Sequence, residues 1–400
     1  MRILCVTQRY FPAIGGAENL IKTYLDFLSL KHDVTVFTSN SLSIDSFWRE
    51  NDSIIPDTKL DYLVNRFDVL IPSKIQNDRN LQLLPLLSNY PGPFMPDLWI
   101  ELLSKEIQYD LIIVTAFPYD HVIPAFIAAK KWKIPIMVMP LIHDEFPELF
   151  LTGMRLSLLS CANTILVLSQ NEKKILVDLG IDSGVIHQII PYIKQKKKPD
   201  KQQVTLFKNQ HNLTNKKIVL FTGARSSVKG LIDLLQSMKK IWKMRNDVIL
   251  LLVGPSTKEY ENYFGNISKN FKKNIIDLGI TDEKTKDLAF ESCDLFVLPS
   301  KSESFGMVLI ESWIYKKPVI GCDISSTREL INHMENGMLV SFGDVDGIYK
   351  NILTLLDDNK MAENMGKAGF EKSNQFTSSD NLIDFEKICL ETINQHKSKV

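Results

Sequence analysis

The sequence predicts an α/β protein made of two doubly wound domains, and three observations carry this prediction. Short apolar runs of strand character alternate with longer amphipathic segments of helical character. The alternation is interrupted by a charged run at 194–201 and then starts again. The chain has 400 residues, more than one ordinary hydrophobic core organises. Strands that alternate with helices are typical of parallel sheets covered by helices.

The first half opens with a β-loop-α-β unit. A strand at 3–7 precedes a glycine-containing loop, an amphipathic helix at 18–29 and a second strand at 33–38. Residues 40–108 are less regular, and the pattern does not order their apolar pieces, such as 81–87. The later strands and helices of this half are expected at 110–115, 122–132, 135–140, 164–169, 172–179 and 185–190.

The charged run at 194–201 contains a proline. We interpret it as a solvated linker, with a nucleic-acid or lipid patch as the alternative. The domain boundary falls here, giving an N-terminal domain at 1–195 and a C-terminal domain at 196–377. The strands of the second domain are expected at 217–222, 248–253, 274–278, 294–298, 318–321 and 337–341.

Glycines and charged side chains collect in the loops that follow predicted strands. In chain order, these residues are Gly15, Gly16, His143, Arg225, Lys229 and Glu303. Ligands of doubly wound sheets bind at the carboxyl ends of the strands. The pattern therefore predicts a single site in a cleft between the two domains.

The stretch that ends the fourth strand of the second domain carries the most specific pattern. An apolar strand stops at Pro299, a polar turn containing Glu303 follows, and Gly306 opens an apolar helical segment at Met307. Free N–H groups at a helix start, with the positive end of its dipole, form an anion site. Glu311 lies inside this helix, eight residues after Glu303. Two carboxylates beside an anion site predict a ligand with a central phosphate and hydroxyls at both ends, which is the shape of a nucleotide sugar.

Composition excludes several other classes. The net charge is 0, so no global field favours nucleic acid or an anionic membrane. The 5 cysteines are scattered and form no metal or disulfide framework. No apolar run approaches the ~20 residues of a membrane-spanning helix, and the N-terminus has the character of a first strand rather than a signal peptide. We expect a cytoplasmic protein with, at most, peripheral membrane contact.

These motifs resemble those of the retaining glycosyltransferase family 4, within glycosyltransferase group 1. The resemblance rests on Phe-Pro-Ala-Ile-Gly-Gly-Ala-Glu at 11–18, Gly-Ala-Arg-Ser-Ser-Val-Lys-Gly at 223–230, the 299–311 stretch and Lys-Pro-Val-Ile at 317–320. A pair of glutamates eight residues apart is a weak signal alone and a specific one in this context. Lys316 departs from the pattern, because relatives usually have glycine at this position.

The resemblance implies the GT-B fold, in which two Rossmann-like domains face an interdomain cleft. It implies that the C-terminal helix, about 378–400, packs back on the first domain. The alternative is that this helix is a plain terminal helix of the second domain. The implied activity is transfer of a sugar, with retained anomeric configuration, from a UDP- or GDP-sugar. A glycan or lipid-linked acceptor in surface polysaccharide biosynthesis would receive it.

The resemblance also implies roles for single residues. Arg225 and Lys229 would neutralise the leaving diphosphate, for which surface charge is the alternative. Glu303 would contact the transferred sugar, with helix capping as the alternative, and His143 would lie near that sugar unless it is structural. These four are the predicted catalytic residues.

The remaining predicted site residues bind the donor or the acceptor. Glu311 would accept hydrogen bonds from the ribose, with a salt bridge to a neighbouring lysine as the alternative. The other predicted donor-binding residues are Phe305, Gly306, Met307, Gly15, Gly16, Gly254 and Ile280. Asp120 and His121 are expected at the acceptor.

We expect no cofactor and no metal. Asp144 and Glu145 imitate a metal site, but no second carboxylate cluster or histidine pair supports one. The alternatives to a transferase are a catalytically silent subunit that binds a sugar nucleotide, and a nucleotide-sugar epimerase on the same fold. The four predicted charged residues Arg225, Lys229, Glu303 and Glu311 argue against the silent subunit.

Overall fold

The computed structural model of the chain describes residues 1–43, 45–47, 59–71, 92–104, 106, 108–143, 145, 147–150 and 153–398. Contacts divide the chain into two compact units. The first unit comprises Met1–Tyr192 together with Ser378–Val400, and the second comprises Ile193–Thr377. The predicted apolar piece at 81–87 and Asp144 lie outside the described residues.

The first unit is built on a parallel sheet. Its described strands are β1 (Arg2–Thr7), β2 (Asp33–Ser39), β3 (Leu63–Phe67), β4 (Leu111–Thr115), β5 (Ile136–Met139), β6 (Thr164–Val167) and β7 (Ile186–Gln188). In the described part of the chain they form a sheet in the order β3-β2-β1-β4-β5-β6-β7. Ile3 pairs with Val34 of β2 on one side and with Leu111 of β4 on the other. The strand order therefore reverses at β1.

Helices connect these strands and cover the sheet. They are α1 (Gly16–Leu28), α2 (Pro96–Ser104), α3 (Val122–Trp132), α4 (Pro147–Phe150), α5 (Gly153–Ser160) and α6 (Gln170–Asp178). The central strands are buried on both faces, as the continuous apolar run 111–115 illustrates. α1 buries Leu20, Ile21, Leu25 and Leu28, which recur at helical spacing.

The second unit repeats this architecture. Its described strands are β8 (Lys217–Thr222), β9 (Val248–Val253), β10 (Ile275–Asp277), β11 (Leu295–Leu298), β12 (Val319–Cys322) and β13 (Met338–Val340). They form a parallel sheet in the order β10-β9-β8-β11-β12-β13. The strand order reverses at β8, which lies between β9 and β11. Both units are thus doubly wound, as the sequence predicts.

The helices of the second unit are α7 (Lys201–Gln210), α8 (Leu231–Trp242), α9 (Lys258–Gly265), α10 (Lys269–Lys272), α11 (Glu283–Ser292), α12 (Met307–Ile314), α13 (Ser325–Leu330), α14 (Val345–Asp357) and α15 (Asn359–Ser373). Between α12 and β12, Lys316 has φ 57°. This left-handed conformation favours glycine, which explains why glycine is usual there in the family that the sequence resembles.

The last helix, α16 (Asp380–Lys397), belongs to the first unit. Its Phe385 stacks on Tyr24 of α1, with ring centroids 4.1 Å apart. Glu386 accepts a hydrogen bond from His32 Nε2 at 2.8 Å. An aromatic stack with α1 and a polar contact with His32, which follows α1, therefore hold this helix in the first unit.

The charged run at 194–201 is more structured than a solvated linker. Lys196 Nζ contacts Asp287 Oδ1 at 2.7 Å and Glu283 Oε2 at 2.8 Å, and its side chain is only 14% exposed. Asp200 caps α7, which begins at Lys201, through a capping box with Gln203. The sequence interpretation missed α7, because the lysines around Pro199 masked this start signal. It also left β3 unassigned within the irregular segment.

Two further features bear on the class of protein. No helix among the described residues is both long enough and apolar enough to cross a membrane.

The five cysteines are free thiols, and Cys161 is the exposed one. The remaining four are buried, and burial raises the pKa of the Cys5 thiol.

Candidate functional site

Two loops meet where the strand order of the second unit reverses. The loop at 223–230 follows β8, and the loop at 299–306 follows its neighbour β11. Lys301 N donates to Val228 O at 2.8 Å. Gly230 has φ 72°, and a Cβ placed there would lie 2.0 Å from Pro299 O. The two motifs therefore pack backbone to backbone, at the position where doubly wound sheets bind ligands.

Lys229 and Glu303 are brought together by this packing. Lys229 Nζ lies 2.7 Å from Glu303 Oε1 and 3.3 Å from Ser302 O. The Lys229 side chain is 27% exposed and that of Glu303 is 13% exposed. The predicted cation and the predicted sugar-binding carboxylate thus form one partly exposed ion pair, which can exchange partners with a charged ligand.

Arg225 lies elsewhere. Its Nη1 contacts the Asp277 carboxylate at the end of β10, and its Nη2 donates to Gly254 O at 2.9 Å. The guanidinium carbon lies 5.1 Å from the ring centroid of Tyr260, and the side chain is 6% exposed. The structure does not bring Arg225 together with Lys229 and Glu303, and its predicted role at the leaving group stays a prediction.

The start of α12 has the predicted geometry. Gly306 is the residue before the helix, with φ 87°, and no side chain caps it. Helix geometry leaves the first N–H groups, beginning at Met307, without an acceptor within the helix, whereas Leu309 N donates to Gly306 O at 2.9 Å. Phe305 is buried, with its ring edge-on to Phe376 at 5.8 Å. Its side chain therefore serves packing, so its backbone is the part that can face a ligand.

Glu311 forms the salt bridge considered as its alternative. Both carboxylate oxygens contact Lys286 Nζ of α11, at 2.9 Å and 2.8 Å. Lys196 adds a second positive charge nearby. Burial lowers the pKa of Lys196, but Glu311, Asp287 and Glu283 outweigh burial and raise it. The sequence did not indicate Lys286, because its partner lies 25 residues away on another helix.

Glycines bring the ends of β8, β9 and β10 close together. A Cβ on Gly254, which has φ 126°, would lie 2.2 Å from Gly223 O. Gly254 N donates to Gly279 O at 2.7 Å. Ile280, which follows directly, is 62% exposed. Gly254 therefore has a structural reason to be glycine, and Ile280 offers an exposed apolar side chain.

In the first unit, the loop after β1 is occupied by an ion pair that sequence reasoning missed. Arg9 Nη2 lies 2.7 Å from Glu18 Oε1, with side chains 11% and 2% exposed. A Cβ on Gly15 would lie 2.0 Å from Glu18 Oε2, whereas a Cβ on Gly16 would meet nothing within 4 Å. Gly15 therefore makes room for Glu18, and Gly16 begins α1. The buried carboxylate was visible in the motif at 11–18, but only its packing reveals the partner.

His143 follows β5, where the sequence places it. It is half-buried, and its ring centroid lies 5.5 Å from that of Phe150. Glu172 holds this loop, because its carboxylate accepts hydrogen bonds from Ile142 N at 2.9 Å and Leu168 N at 3.0 Å. Glu172 therefore joins the carboxyl ends of β5 and β6, a role that the sequence pattern does not indicate.

Asp120 and His121 are both buried. Asp120 Oδ2 accepts a hydrogen bond from Trp99 Nε1 at 3.1 Å, and burial raises the pKa of Asp120 to about 6. His121 Nε2 donates to Thr115 O at 2.9 Å, and burial lowers the pKa of His121 to about 4. His121 is 0% exposed, so its side chain presents no surface to an acceptor.

Metal ligands do not gather in the described ranges. Within these ranges, no three His, Cys, Asp or Glu side chains are grouped so that they could hold an ion. Glu145 belongs to these ranges and Asp144 does not. The expected independence from metals stays a prediction.

The second unit is a doubly wound domain, and comparison with known families shows what it resembles. Residues 202–372 match the family described as glycosyl transferases group 1. The match lies within the second unit and covers less than half of the chain. This confirms the resemblance at the level of group 1, whereas membership of family 4 stays a prediction.

Curated relatives match parts of the chain. N-acetyl-alpha-D-glucosaminyl L-malate synthase of Bacillus anthracis is 29% identical over 202 residues, which cover 50% of this chain and 52% of the relative. The capsular polysaccharide biosynthesis glycosyltransferase CapM of Staphylococcus aureus is 28% identical over 171 residues, covering 42% and 44%. The chain thus spans about half the length of these curated relatives.

Similarity of fold extends over both units. The crystal structure of Anabaena HepE in complex with UDP and glucose matches with a TM-score of 0.73 and 18% identity, covering 98% of this chain and 99% of HepE. At this identity the match bears on the fold. It confirms the GT-B class, in which each unit is a Rossmann-like doubly wound domain.

Proposed function

We propose that this protein is a retaining glycosyltransferase that uses a nucleotide-diphosphate sugar, either a UDP- or a GDP-sugar. The observation that carries the proposal is the Lys229–Glu303 pair, 2.7 Å apart, beside the first turn of α12. A cation, a helix start and a carboxylate are thereby adjacent at the point where the strand order reverses. The cation and the helix start can bind a diphosphate, and the carboxylate can accept a hydrogen bond from a sugar hydroxyl.

The proposed reaction breaks the bond between the anomeric carbon and the diphosphate oxygen. The acceptor hydroxyl oxygen forms a new bond to the same carbon from the same face, and its proton passes to the departing phosphate. Lys229 and the N–H groups of α12 stabilise the negative charge that develops on the diphosphate. Glu303 orients the sugar through its hydroxyls. No residue of the protein becomes covalently attached in this reaction.

The remaining site residues receive roles within the same proposal. Glu311 accepts hydrogen bonds from the ribose, and the backbone near Gly254 and Ile280 contacts the base. His143, Gly15 and Gly16 are assigned to the sugar or the acceptor. The acceptor is a glycan or a lipid-linked sugar of surface polysaccharide biosynthesis. The name of the relative CapM supports this choice of acceptor class.

A donor screen tests the proposal. The purified protein is incubated with UDP-, GDP- and ADP-sugars, and release of the nucleoside diphosphate is followed with and without lipid and glycan extracts. We expect slow release from one donor, acceleration by an acceptor extract, and a product of unchanged anomeric configuration by NMR. Binding without turnover in every extract would instead identify a silent subunit, and a changed sugar still attached to its nucleotide would identify an epimerase.

A further inference from the structure

Three charged side chains lie close together on one face of α11. Glu283, Lys286 and Asp287 are three or four positions apart, which makes them neighbours on a helix surface. Lys286 Nζ contacts both carboxylate oxygens of Glu311 on α12. Lys196, which precedes α7, contacts Asp287 Oδ1 and Glu283 Oε2. This face of α11 therefore connects Lys196 to the carboxylate that is proposed to accept hydrogen bonds from the ribose.

Three carboxylates share two ammonium groups in this cluster. The side chains of Lys196, Lys286, Asp287 and Glu311 are only 14–17% exposed, whereas that of Glu283 is 67% exposed. Charges interact more strongly where water is excluded. Burial lowers the pKa of Lys196, but the charges of the three carboxylates outweigh burial and raise it. Lys196 is therefore protonated, and its charge acts on Glu311 as well as on its two direct partners.

Glu283 competes with Glu311 for Lys286. Glu283 Oε1 lies 3.9 Å from Lys286 Nζ, and Glu311 Oε2 lies 2.8 Å from the same nitrogen. The other oxygen of Glu283 is 2.8 Å from Lys196 Nζ. Asp287 competes less well for Lys286, because adjacent residues of a helix do not face each other. Lys196 thus occupies the carboxylate that would otherwise draw Lys286 away from Glu311.

The orientation of Glu311 matters for a ligand with two neighbouring hydroxyls. A carboxylate offers about four acceptor positions, two on each oxygen. Lys286 takes one position on each oxygen, which leaves one on each for a hydroxyl group. A ribose presents its 2′ and 3′ hydroxyls side by side, so a carboxylate held in one orientation can accept from both. Loss of this orientation weakens the ribose contacts and leaves those of the base and the phosphates in place.

We propose that Lys196 is a positioning residue that makes the site selective for ribonucleotides over deoxyribonucleotides. It engages Glu283 and Asp287, and thereby leaves Lys286 to orient the Glu311 carboxylate toward both ribose hydroxyls. The charged run at 194–201 thus contributes to donor selection, although its sequence has the character of a linker. This inference rests on the proposed function, which supplies the nucleotide and the place of Glu311 at the ribose.

A ratio of two dissociation constants tests the inference. Calorimetry measures the Kd of UDP, 2′-deoxy-UDP, GDP and 2′-deoxy-GDP for the wild-type protein and its variants. For the preferred base, the wild type should bind the deoxynucleotide about tenfold more weakly, because a hydrogen bond to a charged group is lost. Lys196→Met should reduce this ratio to about twofold by weakening the ribonucleotide alone. Lys197→Met is the matched control, since Lys197 is an exposed lysine of the same run, and it should keep the wild-type ratio.

A second substitution tests the competition for Lys286. Glu283→Gln in the Lys196→Met background removes the competing charge, so the ratio should return to about tenfold. Lys196→Arg keeps the positive charge and should keep the ratio. Lys196→Gln repeats the measurement without a charge if Lys196→Met does not fold. An unchanged ratio in the uncharged Lys196 variants, equal weakening of both nucleotides, or no recovery with Glu283→Gln would each overturn the inference.

The two proposals fail in different ways. If the wild-type protein binds no nucleoside diphosphate and turns over no donor, the proposed function is wrong and the inference is overturned with it. If the wild type binds a nucleotide and turns over its donor, but Lys196→Met leaves the preference for ribose unchanged, the positioning role of Lys196 is wrong while the transferase proposal stands.

Discussion

Lys229 Nζ lies 2.7 Å from Glu303 Oε1, although the two residues are 74 positions apart in the chain. The contact depends on the order β8-β11 in the sheet, which makes the loops after these strands neighbours. It also depends on Gly230, whose missing side chain lets the two backbones approach. A conformationally restricted pair of loops therefore holds a cation and a carboxylate at the site where the diphosphate and sugar are proposed to bind.

Lys229→Met should lower kcat by about 10²–10³-fold, because the preorganised positive charge that stabilises the leaving diphosphate is lost. Initial rates of nucleoside diphosphate release at saturating donor measure this effect. The control is Lys301→Met, whose N–H contact with Val228 is made by the backbone and survives the substitution. Wild-type kcat in Lys229→Met would contradict the role of Lys229.

Gly230→Ala should destabilise the second unit by more than about 2 kcal/mol, because a Cβ there meets a backbone carbonyl at 2.0 Å and the residue has φ 72°. Gly343→Ala is the matched control, since Gly343 has φ 79° and nothing within 4 Å of a Cβ. The free energy of unfolding in denaturant separates the strain of positive φ, common to both variants, from the clash. Equal destabilisation of the two variants would show that the clash with Pro299 is relieved.

Lys286→Met should raise the donor KM about tenfold with little change in kcat, because the Glu311 carboxylate loses the ammonium that orients it. Lys286→Arg should restore most of the affinity. Lys284→Met is the control, since Lys284 is exposed on the same helix. Donor titrations with both variants measure KM and kcat separately. A fall in kcat at unchanged KM would contradict a role for this pair at the ribose.

Asp120→Asn should raise the Tm at pH 7.5 relative to wild type, and the difference should vanish near pH 4. Burial raises the pKa of Asp120 from 3.8 to about 6, so the folded protein binds this proton more tightly than the unfolded chain. The resulting stabilisation of the fold is fully present below pH 3.8 and is lost as the pH rises through 6. The asparagine oxygen can still accept from Trp99. Thermal unfolding at the two pH values measures the difference.

His121 gives stability the opposite dependence on pH, because burial lowers its pKa. Burial lowers the pKa of His121 from 6.5 to about 4, so the folded protein binds this proton less tightly than the unfolded chain. The contribution of neutral His121 to the free energy of unfolding is fully present above pH 6.5 and is lost as the pH falls through 4. The wild-type protein should therefore lose stability below pH 6.5 through His121, and Asp120→Asn should not remove this loss. A Tm gain for Asp120→Asn that is equal at both pH values would contradict ionisation of Asp120 as its cause.

Much of the fold is predictable from the chain, because strands buried on both faces leave continuous apolar runs such as 111–115 and 248–253. β3 was not predicted, since its residues Leu63–Phe67 are half-buried or exposed and lack such a run. α7 was missed because charged residues precede it. The separation of Glu303 in a loop from Glu311 in a helix was predicted, because Gly306 marks the helix start.

The amino-acid sequence determined which residue types follow which strands, and hence that cations, carboxylates and glycines collect at the carboxyl ends of two parallel sheets. Only the tertiary structure decided which of these side chains meet. Arg225 and Lys229 lie in one loop without helical or strand periodicity, so spacing cannot tell where each side chain points. Their directions are set by partners that are 52 and 74 residues away, Asp277 and Glu303, which chain folding brings to opposite sides of β8.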